Sequence, residues 1–396
     1  MKVNYLFEQK GDLELKVTTF YGLEEVLAKE LHRLGGKNIE PFTRGVSVTG
    51  DLGFVYKANL CLHTALKVII PIGSFIAAND DELYQQVGTI EWERFLNTDQ
   101  SFMIESVLNT ELYNHSLFVS QKIKDAIADR FRRIQGKRPS VDLIRPDLRI
   151  YARVYNDEVS LYIDSSGEPL YKRGYRAEQN LAPLKEVLAA GLVSLSGWEP
   201  HQLLIDGMCG SGTIAIEAAL LANKIPPGYF RQDFGFMRWQ NFDEQLYDTI
   251  LENALNRISN REVEIIGNEI DAFTVKKAVA NVGHAKVEDV VKIQHGDFFD
   301  IQPTRKGGAL IINPPYGERL PVHEITGLYK EIGNKLKKDF SGFNAWIITS
   351  NPEAIKAIGL RSSRKIKIYN GSLECRFLKY EMYQGSKRDQ YTQPKE

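Results

Sequence analysis

Five short, unbroken apolar runs, at residues 202–205, 263–266, 290–293, 309–312 and 343–348, are separated by helix-length segments. Strands that are apolar at every residue, not at alternate ones, are buried on both faces, which happens in parallel sheets whose crossovers are helices. A helix starting at Pro183 and running to about residue 196 precedes them; proline suits a first helical position because the amide it lacks has no partner there. The chain then closes with KIKIYNGSLECRFLKYEMY, two strand-like runs around Asn370-Gly371, a strong hairpin signal. A parallel α/β sheet finished by an antiparallel hairpin is therefore expected over residues 166–385, ahead of a polar tail at 386–396.

The N-terminal part has a different rhythm. Residues 1–70 read as strand, helix, strand, strand, helix, strand, with strands at 13–18, 39–42, 45–49 and 65–70 and helices at 22–34 and 53–61. The first helix carries Leu23, Val26, Leu27, Leu31 and Leu34 on one face and stops at Gly35-Gly36. That order is the ferredoxin-like βαββαβ unit. Residues 71–165 form a second block: a short helix at 81–90, a strand at 102–108, a basic helix at 116–134, and strands at 148–155 and 159–164. Ser165-Ser166-Gly167-Glu168-Pro169 reads as a linker to the α/β part.

Net charge is −1 over 396 residues, which argues against a protein that coats nucleic acid generically. The average hides a local excess. Between Lys122 and Arg153, ten basic residues face four acids. On the helix at 116–134, Leu117, Ile123, Ile127 and Phe131 make an apolar face, leaving Lys122, Lys124, Arg130, Arg132 and Arg133 free, with Lys137 and Arg138 just beyond. Such a patch can hold a phosphate backbone through counterion release. Arg361, Arg364, Lys365 and Lys367 form a second basic run. Cys61, Cys209 and Cys375 are too few and too scattered for a disulfide frame or a zinc site, so no metal is expected. With no secretory signal and no apolar run near bilayer length, the expected setting is the cytoplasm, without membrane contact.

Chemistry concentrates where the apolar runs end. The first delivers LLIDGMCGSGTIAIEAA: Asp206 closes the strand, and Gly207, Gly210 and Gly212 fill the turn into a helix. Glycine lets a ligand approach the backbone at a helix N-terminus. The spacing is G-x-x-G-x-G, not the dinucleotide G-x-G-x-x-G. A carboxylate directly before it repels diphosphate and attracts an ammonium, which points to S-adenosylmethionine. In VEIIGNEID, Glu269 is placed to accept ribose hydroxyls, with Asp271 next on that side. In HGDFFD, Asp297 can accept from an adenine amino group with Phe298 against the ring; capping a helix is its other natural task. Cys209 and His295 are read as packing and strand-end residues.

The fourth run ends LIINPPYGER. Pro314 and Pro315 stiffen the turn and leave the Pro314 carbonyl free to accept. Asn313 Oδ1 and that carbonyl could take the two hydrogens of an exocyclic amine, aiming its lone pair at a methyl sulfonium. Tyr316 would stack on the flipped base. Glu318 and Arg319 either steady this loop or touch phosphate.

DGMCGSGT, GNEID, HGDFF and NPPYGER, preceded by KRGYRAEQNLAPLKEVLAAGLV and by ANLCLHTALKVI at the close of the first block, resemble the RlmL-type guanine-N2 RNA methyltransferases. The resemblance implies a class I, Rossmann-like methyltransferase with ferredoxin-like (1–70) and THUMP (71–165) domains gripping RNA. It further implies S-adenosylmethionine as donor and large-subunit ribosomal RNA, or its precursor particle, as substrate. Its donor contacts would be Asp206, Gly207, Gly210, Glu269 and Asp297; its base contacts would be Asn313, Pro314 and Tyr316. Some members are fused to a second methyltransferase; none follows here, so a single activity and no obligate protein partner are expected. The motifs leave two neighbours open, a THUMP-type tRNA guanine-N2 methyltransferase and, from the NPPY run alone, an adenine-N6 DNA methylase.

Overall fold

The computed structural model describes residues 3–8, 11–176, 184–315 and 322–383. It divides into two compact units. The first comprises residues 1–19, 27–172 and 231–256, and the second 20–26, 173–230 and 257–396.

The first unit is built on one eight-stranded sheet. Strands β1 (Leu13–Thr18), β2 (Lys37–Phe42), β3 (Gly45–Gly50) and β4 (Lys67–Ile76), with helices α1 (Glu24–Leu34) and α2 (Leu52–Cys61), make the expected βαββαβ unit, in the order β2-β3-β1-β4. Helix α3 (Asp80–Thr89), β5 (Ser101–Asn109), α4 (Ser116–Gln135), β6 (Ser140–Val141), β7 (Leu148–Tyr155) and β8 (Glu158–Asp164) extend the same sheet as β4-β8-β7-β5-β6. Strand β4 outruns the sequence expectation by six residues because Pro71, which reads as a breaker, sits at a register shift between Pro71 and Gly73 where no ladder donor is needed. It pairs with β1 through Lys67–Ile69 and with β8 through Ile69–Ile76.

The serines expected in a linker are instead core. Ser165 and Ser166 are fully buried. Asn59 Nδ2 donates to Ser165 Oγ (2.8 Å), Ser165 Oγ to the Val68 carbonyl (2.7 Å), Ser166 Oγ to Asn59 Oδ1 (2.6 Å), and Val68 N to Ser166 Oγ (2.8 Å). Hydroxyls paired this way can be buried without the cost of an orphaned polar group.

The second unit is a seven-stranded sheet flanked by helices. Helix α5 (Glu186–Ser196) leads into β9 (Leu204–Asp206) and α6 (Thr213–Ala222). The following α7 (Glu244–Leu255) falls in the segment counted with the first unit. The second unit resumes with β10 (Ile265–Glu269), α8 (Ala272–His284), β11 (Val291–His295), β12 (Gly308–Ile312), α9 (Val322–Asp339), β13 (Phe343–Thr349), α10 (Pro352–Ala357), β14 (Arg364–Asn370) and β15 (Leu373–Glu381). The order is β11-β10-β9-β12-β13-β15-β14. Neighbours from β11 to β13 are parallel, and β15 is antiparallel to both β13 and β14. This is the class I, Rossmann-like arrangement, with the Asn370-Gly371 hairpin where the sequence places it.

Alternate residues of each central strand feed two cores. Leu204, Ile265, Ala309 and Ile311 pack with α5 and α6 residues such as Leu188 and Ala218. Ile205, Ile266, Leu310 and Ile312 pack with α9 residues such as Ile325 and Tyr329. Both faces are thus covered, and the free rim lies at the carboxyl ends of the strands, where order reverses between β9 and β12 and ligands bind in open α/β sheets. Among the described residues no helix is long and apolar enough to cross a membrane.

Candidate active site

Strand β9 has all three residues buried and is flanked by β10 and β12. The turn that follows is pinned from both sides: Gly207 N donates to the Ile311 carbonyl (3.1 Å) and Cys209 N to the Asn268 carbonyl (2.9 Å). Gly210 (φ +54°) and Gly212 (φ +81°) take left-handed backbone conformations that side chains disfavour. Gly207 is required by crowding, since a Cβ there would lie 2.9 Å from the Phe298 ring. Gly212 caps α6 without any side-chain hydrogen bond, so the helix presents first-turn amides that no side chain has taken.

The carboxylates near this turn have three different situations. Asp206 is fully buried, and neither carboxyl oxygen has a hydrogen-bond partner among the described residues. Burial pushes its carboxyl up to about 8; the Ala215 backbone opposes the rise and Glu269 adds to it. Glu269 accepts from Gly210 N and from Asp271 N, both at 3.0 Å, so it braces the glycine turn while lining the cavity. Asp297 accepts from Phe299 N (3.0 Å) and caps the single helical turn Phe298–Asp300, fulfilling the capping alternative while it also lines the cavity. Asp271 caps α8 through Thr274 N (2.7 Å). Cys209 is buried and burial raises its thiol pKa, which fits packing and not nucleophilic work. His295 ends β11 with Nε2 3.0 Å from the Ile270 carbonyl, as a strand-end residue would.

These groups open onto one cavity of about 530 Å³, within the usual size for small-molecule sites. Gly207 and Gly210 from the turn, Glu269, Asp297, Asn313 and Pro315 all line it. Asn313 Oδ1 is buried with no hydrogen-bond partner among the described residues. Pro314 is buried and absent from the lining, and Tyr316, Glu318 and Arg319 lie outside the described residues. Asp206 is likewise not on the wall: it stands behind the turn, a correction to the expectation that it faces the ligand openly. Phe298 lines the cavity but is 2% exposed, its ring stacked on Phe340 at 6.1 Å, so it is mainly a floor that positions Gly207. Phe299 and Ile270 supply the more open apolar wall, and Ile270 is 63% exposed. Sequence reasoning passed over both; the available signal was an isoleucine directly after Glu269, where a solvated turn favours a polar residue.

In the first unit α4 departs from expectation in detail. Its buried face is Val119, Ile123, Ala126, Ile127, Ala128 and Phe131, whereas Leu117 is exposed. Arg130 is not free: its guanidinium grips Glu93 (Nη2–Oε1 2.6 Å, Nε–Oε2 2.9 Å), also donates to the Gly88 carbonyl, and holds the Glu93 carboxyl below its usual range. Lys122 pairs with Asp80 (2.9 Å), Lys124 with Asp125 (2.7 Å) and Arg132 with Asp129 (2.8 Å). Arg133, Lys137 and Arg138 are exposed and make no ion pair within 4.0 Å among the described residues.

Comparison with known proteins follows the same divisions. Residues 173–379 match the RMKL-like methyltransferase domain family, 77–164 the THUMP domain and 14–69 the RlmL ferredoxin-like domain. The ribosomal RNA large subunit methyltransferase K/L of Syntrophotalea carbinolica is 39% identical over 376 residues, covering 91% of this chain and 52% of that protein. The chain thus spans about half the length of the curated relatives of that name. The crystal structure of SMU.472 complexed with SAH superposes with a TM-score of 0.85 at 30% identity, covering 96% of this chain and 100% of that one. A structure from Listeria monocytogenes, named as a predicted N6-adenine-specific DNA methylase, gives a TM-score of 0.83 at 31% identity, with 96% and 98% covered.

Proposed function

Because this chain belongs to the RMKL-like methyltransferase family, we propose that it is an S-adenosylmethionine-dependent RNA methyltransferase acting on the exocyclic N2 of a guanine in large-subunit ribosomal RNA. The observation that carries the reading is the partnerless Asn313 Oδ1 on the wall of the cavity that the glycine turn also lines. A buried amide oxygen without a donor costs stability, about 1–3 kcal/mol, unless a ligand supplies the hydrogen.

The cavity suits the donor. Its floor is the glycine turn, Glu269 and Asp297 offer acceptors for ribose and adenine, and Phe299 and Ile270 give apolar walls. When bound, S-adenosylmethionine supplies a methyl group on a cationic sulfur that leaves as a neutral thioether. The chain's work is then positioning. An aromatic amine is a weak nucleophile because its lone pair is delocalised into the ring. Asn313 Oδ1 accepts one amine hydrogen and the Pro314 carbonyl the other, which drives the nitrogen toward tetrahedral geometry and frees the lone pair. Tyr316 stacks on the base once it is flipped out. Orientation of this kind removes much of a bimolecular barrier.

RNA as the substrate rests on the THUMP and ferredoxin-like matches and on the relatives' names. A second reading, adenine-N6 methylation of DNA, draws on the name of the Listeria structure and on the fact that Asn-Pro-Pro-Tyr suits either amine. Mass spectrometry of nucleosides from cells lacking the gene separates them. Loss of N2-methylguanosine from large-subunit rRNA is expected; loss from tRNA instead, or loss of N6-methyladenine from DNA, would replace the proposal.

A further inference from the structure

The KRGYRAE run that opens the second unit is almost wholly internal, and one of its donors has nothing to bind. Arg173 and Tyr175 are each 2% exposed and gather on Glu217 of α6: the Tyr175 hydroxyl donates to Oε1 (3.0 Å) and Arg173 Nε lies 3.5 Å away. Arg176 goes elsewhere. Its side chain is 7% exposed, Nε donates to Glu186 Oε1 (2.9 Å), and Nη2 donates to Thr213 Oγ1 (2.9 Å) and to the Leu184 carbonyl (3.3 Å). Nη1 is buried with no hydrogen-bond partner among the described residues.

Two of those partners, Thr213 and Leu184, line the cavity, and Thr213 is the first residue of α6, whose N-terminus no side chain caps. A cationic fork, a hydroxyl that keeps its own hydrogen after accepting from Arg176, and unclaimed helix amides therefore meet at one end of the cavity. All are donors, which selects an anion. The opposite wall carries Glu269 and Asp297, and Asp206 lies behind the turn. A dianionic phosphate would meet those acids with a single guanidinium to offset them. A carboxylate carrying its own ammonium fits better.

We propose that Arg176 Nη1, with the Thr213 hydroxyl and the first-turn amides of α6, binds the carboxylate of the donor's amino-acid end; the inference rests on the donor reading above. Arg176 is then a cofactor-binding residue, held in aim by Glu186.

Calorimetry on the full chain with two ligands tests this. S-adenosylhomocysteine carries the carboxylate, whereas 5′-methylthioadenosine keeps the thioether nucleoside without it. Arg176→Gln should weaken S-adenosylhomocysteine at least tenfold and methylthioadenosine less than twofold. Thr213→Val should show the same selectivity at two- to fivefold and covers the case in which the arginine variant does not fold. Unchanged affinity for S-adenosylhomocysteine in either folded variant, or equal weakening of both ligands, overturns the proposal and leaves Arg176 a structural strut. Wild-type protein that binds neither ligand overturns the donor reading itself.

Discussion

Helix α4 and the cavity at the tips of β9 and β12 treat their polar side chains in opposite ways. On α4, four of the cations that make the sequence look basic are already spoken for: Lys122, Lys124, Arg130 and Arg132 each hold a carboxylate at 2.6–2.9 Å. Around the cavity, Asp206, Asn313 and Arg176 are deeply placed and keep atoms with no partner among the described residues. A charge count along a chain therefore overstates what α4 offers RNA and says nothing about what the cavity withholds from its own protein. Unspent hydrogen-bonding capacity in a low-dielectric setting, not charge, is what separates the two regions.

The largest expected effect comes from spending that capacity at Asn313. Asn313→Ala removes the amine-orienting oxygen and should lower kcat by about 10²–10³-fold, the range seen when one preorganised polar group is removed from a transition state. Affinity for S-adenosylhomocysteine should stay within a few-fold, because the donor half of the cavity is untouched. Turnover that persists in steady-state assays would mean the amine is oriented elsewhere.

Next in size is a stability effect at Asp206. Its folded pKa of about 8 stands above its unfolded value, so between the two the folded chain keeps a proton that the unfolded chain has lost. Stability from this group is present in acid and declines as pH rises through that window, by about 1.4 kcal/mol per unit, opposite to a salt-bridged aspartate. Asp206→Asn should flatten the decline measured by denaturant titration between pH 5 and pH 8 in the absence of donor. The variant should also bind S-adenosylhomocysteine more weakly. A pH profile parallel to wild type would show Asp206 ionised in the empty protein.

The contrast also explains what could be read in advance. The strands and glycine turn of the second unit are local facts: apolar runs, an Asn-Gly hairpin and three glycines after Asp206 need no distant partner to be recognised. The partners of α4 were not legible, because Glu93 and Asp80 come from other elements, 37 and 42 positions away in the chain. The same holds for 231–256, which lies in the middle of the α/β sequence yet is counted with the first unit. There Arg231 ties to the carbonyls of Pro169, Lys172, Ser166 and Glu168. Ser165 and Ser166 misled for a related reason: a Ser-Ser-Gly run looks solvated until Asn59, 106 and 107 positions away, is seen to satisfy both hydroxyls. Long-range pairing, not propensity, decided each of these.

The smallest effect tests the first half of the comparison. If paired cations are structural and unpaired ones meet RNA, substitutions on α4 should split into two kinds. Reversing Arg133, Lys137 and Arg138 to Glu should leave thermal stability near wild type, since surface changes without partners move it little. The same variant should reduce the slope of log affinity against log salt by roughly 0.7–0.9 for each phosphate that is no longer neutralised. Arg130→Met should do the reverse. It strands Glu93, whose carboxyl the guanidinium holds low, and should cost about 1–3 kcal/mol of stability with the salt slope almost intact. Filter binding across a salt series, read beside thermal melts, distinguishes the two. Should the triple variant keep the wild-type slope, α4 is a solvated face; should Arg130→Met flatten it, the Glu93 pair opens on RNA and the division between the two kinds of cation fails.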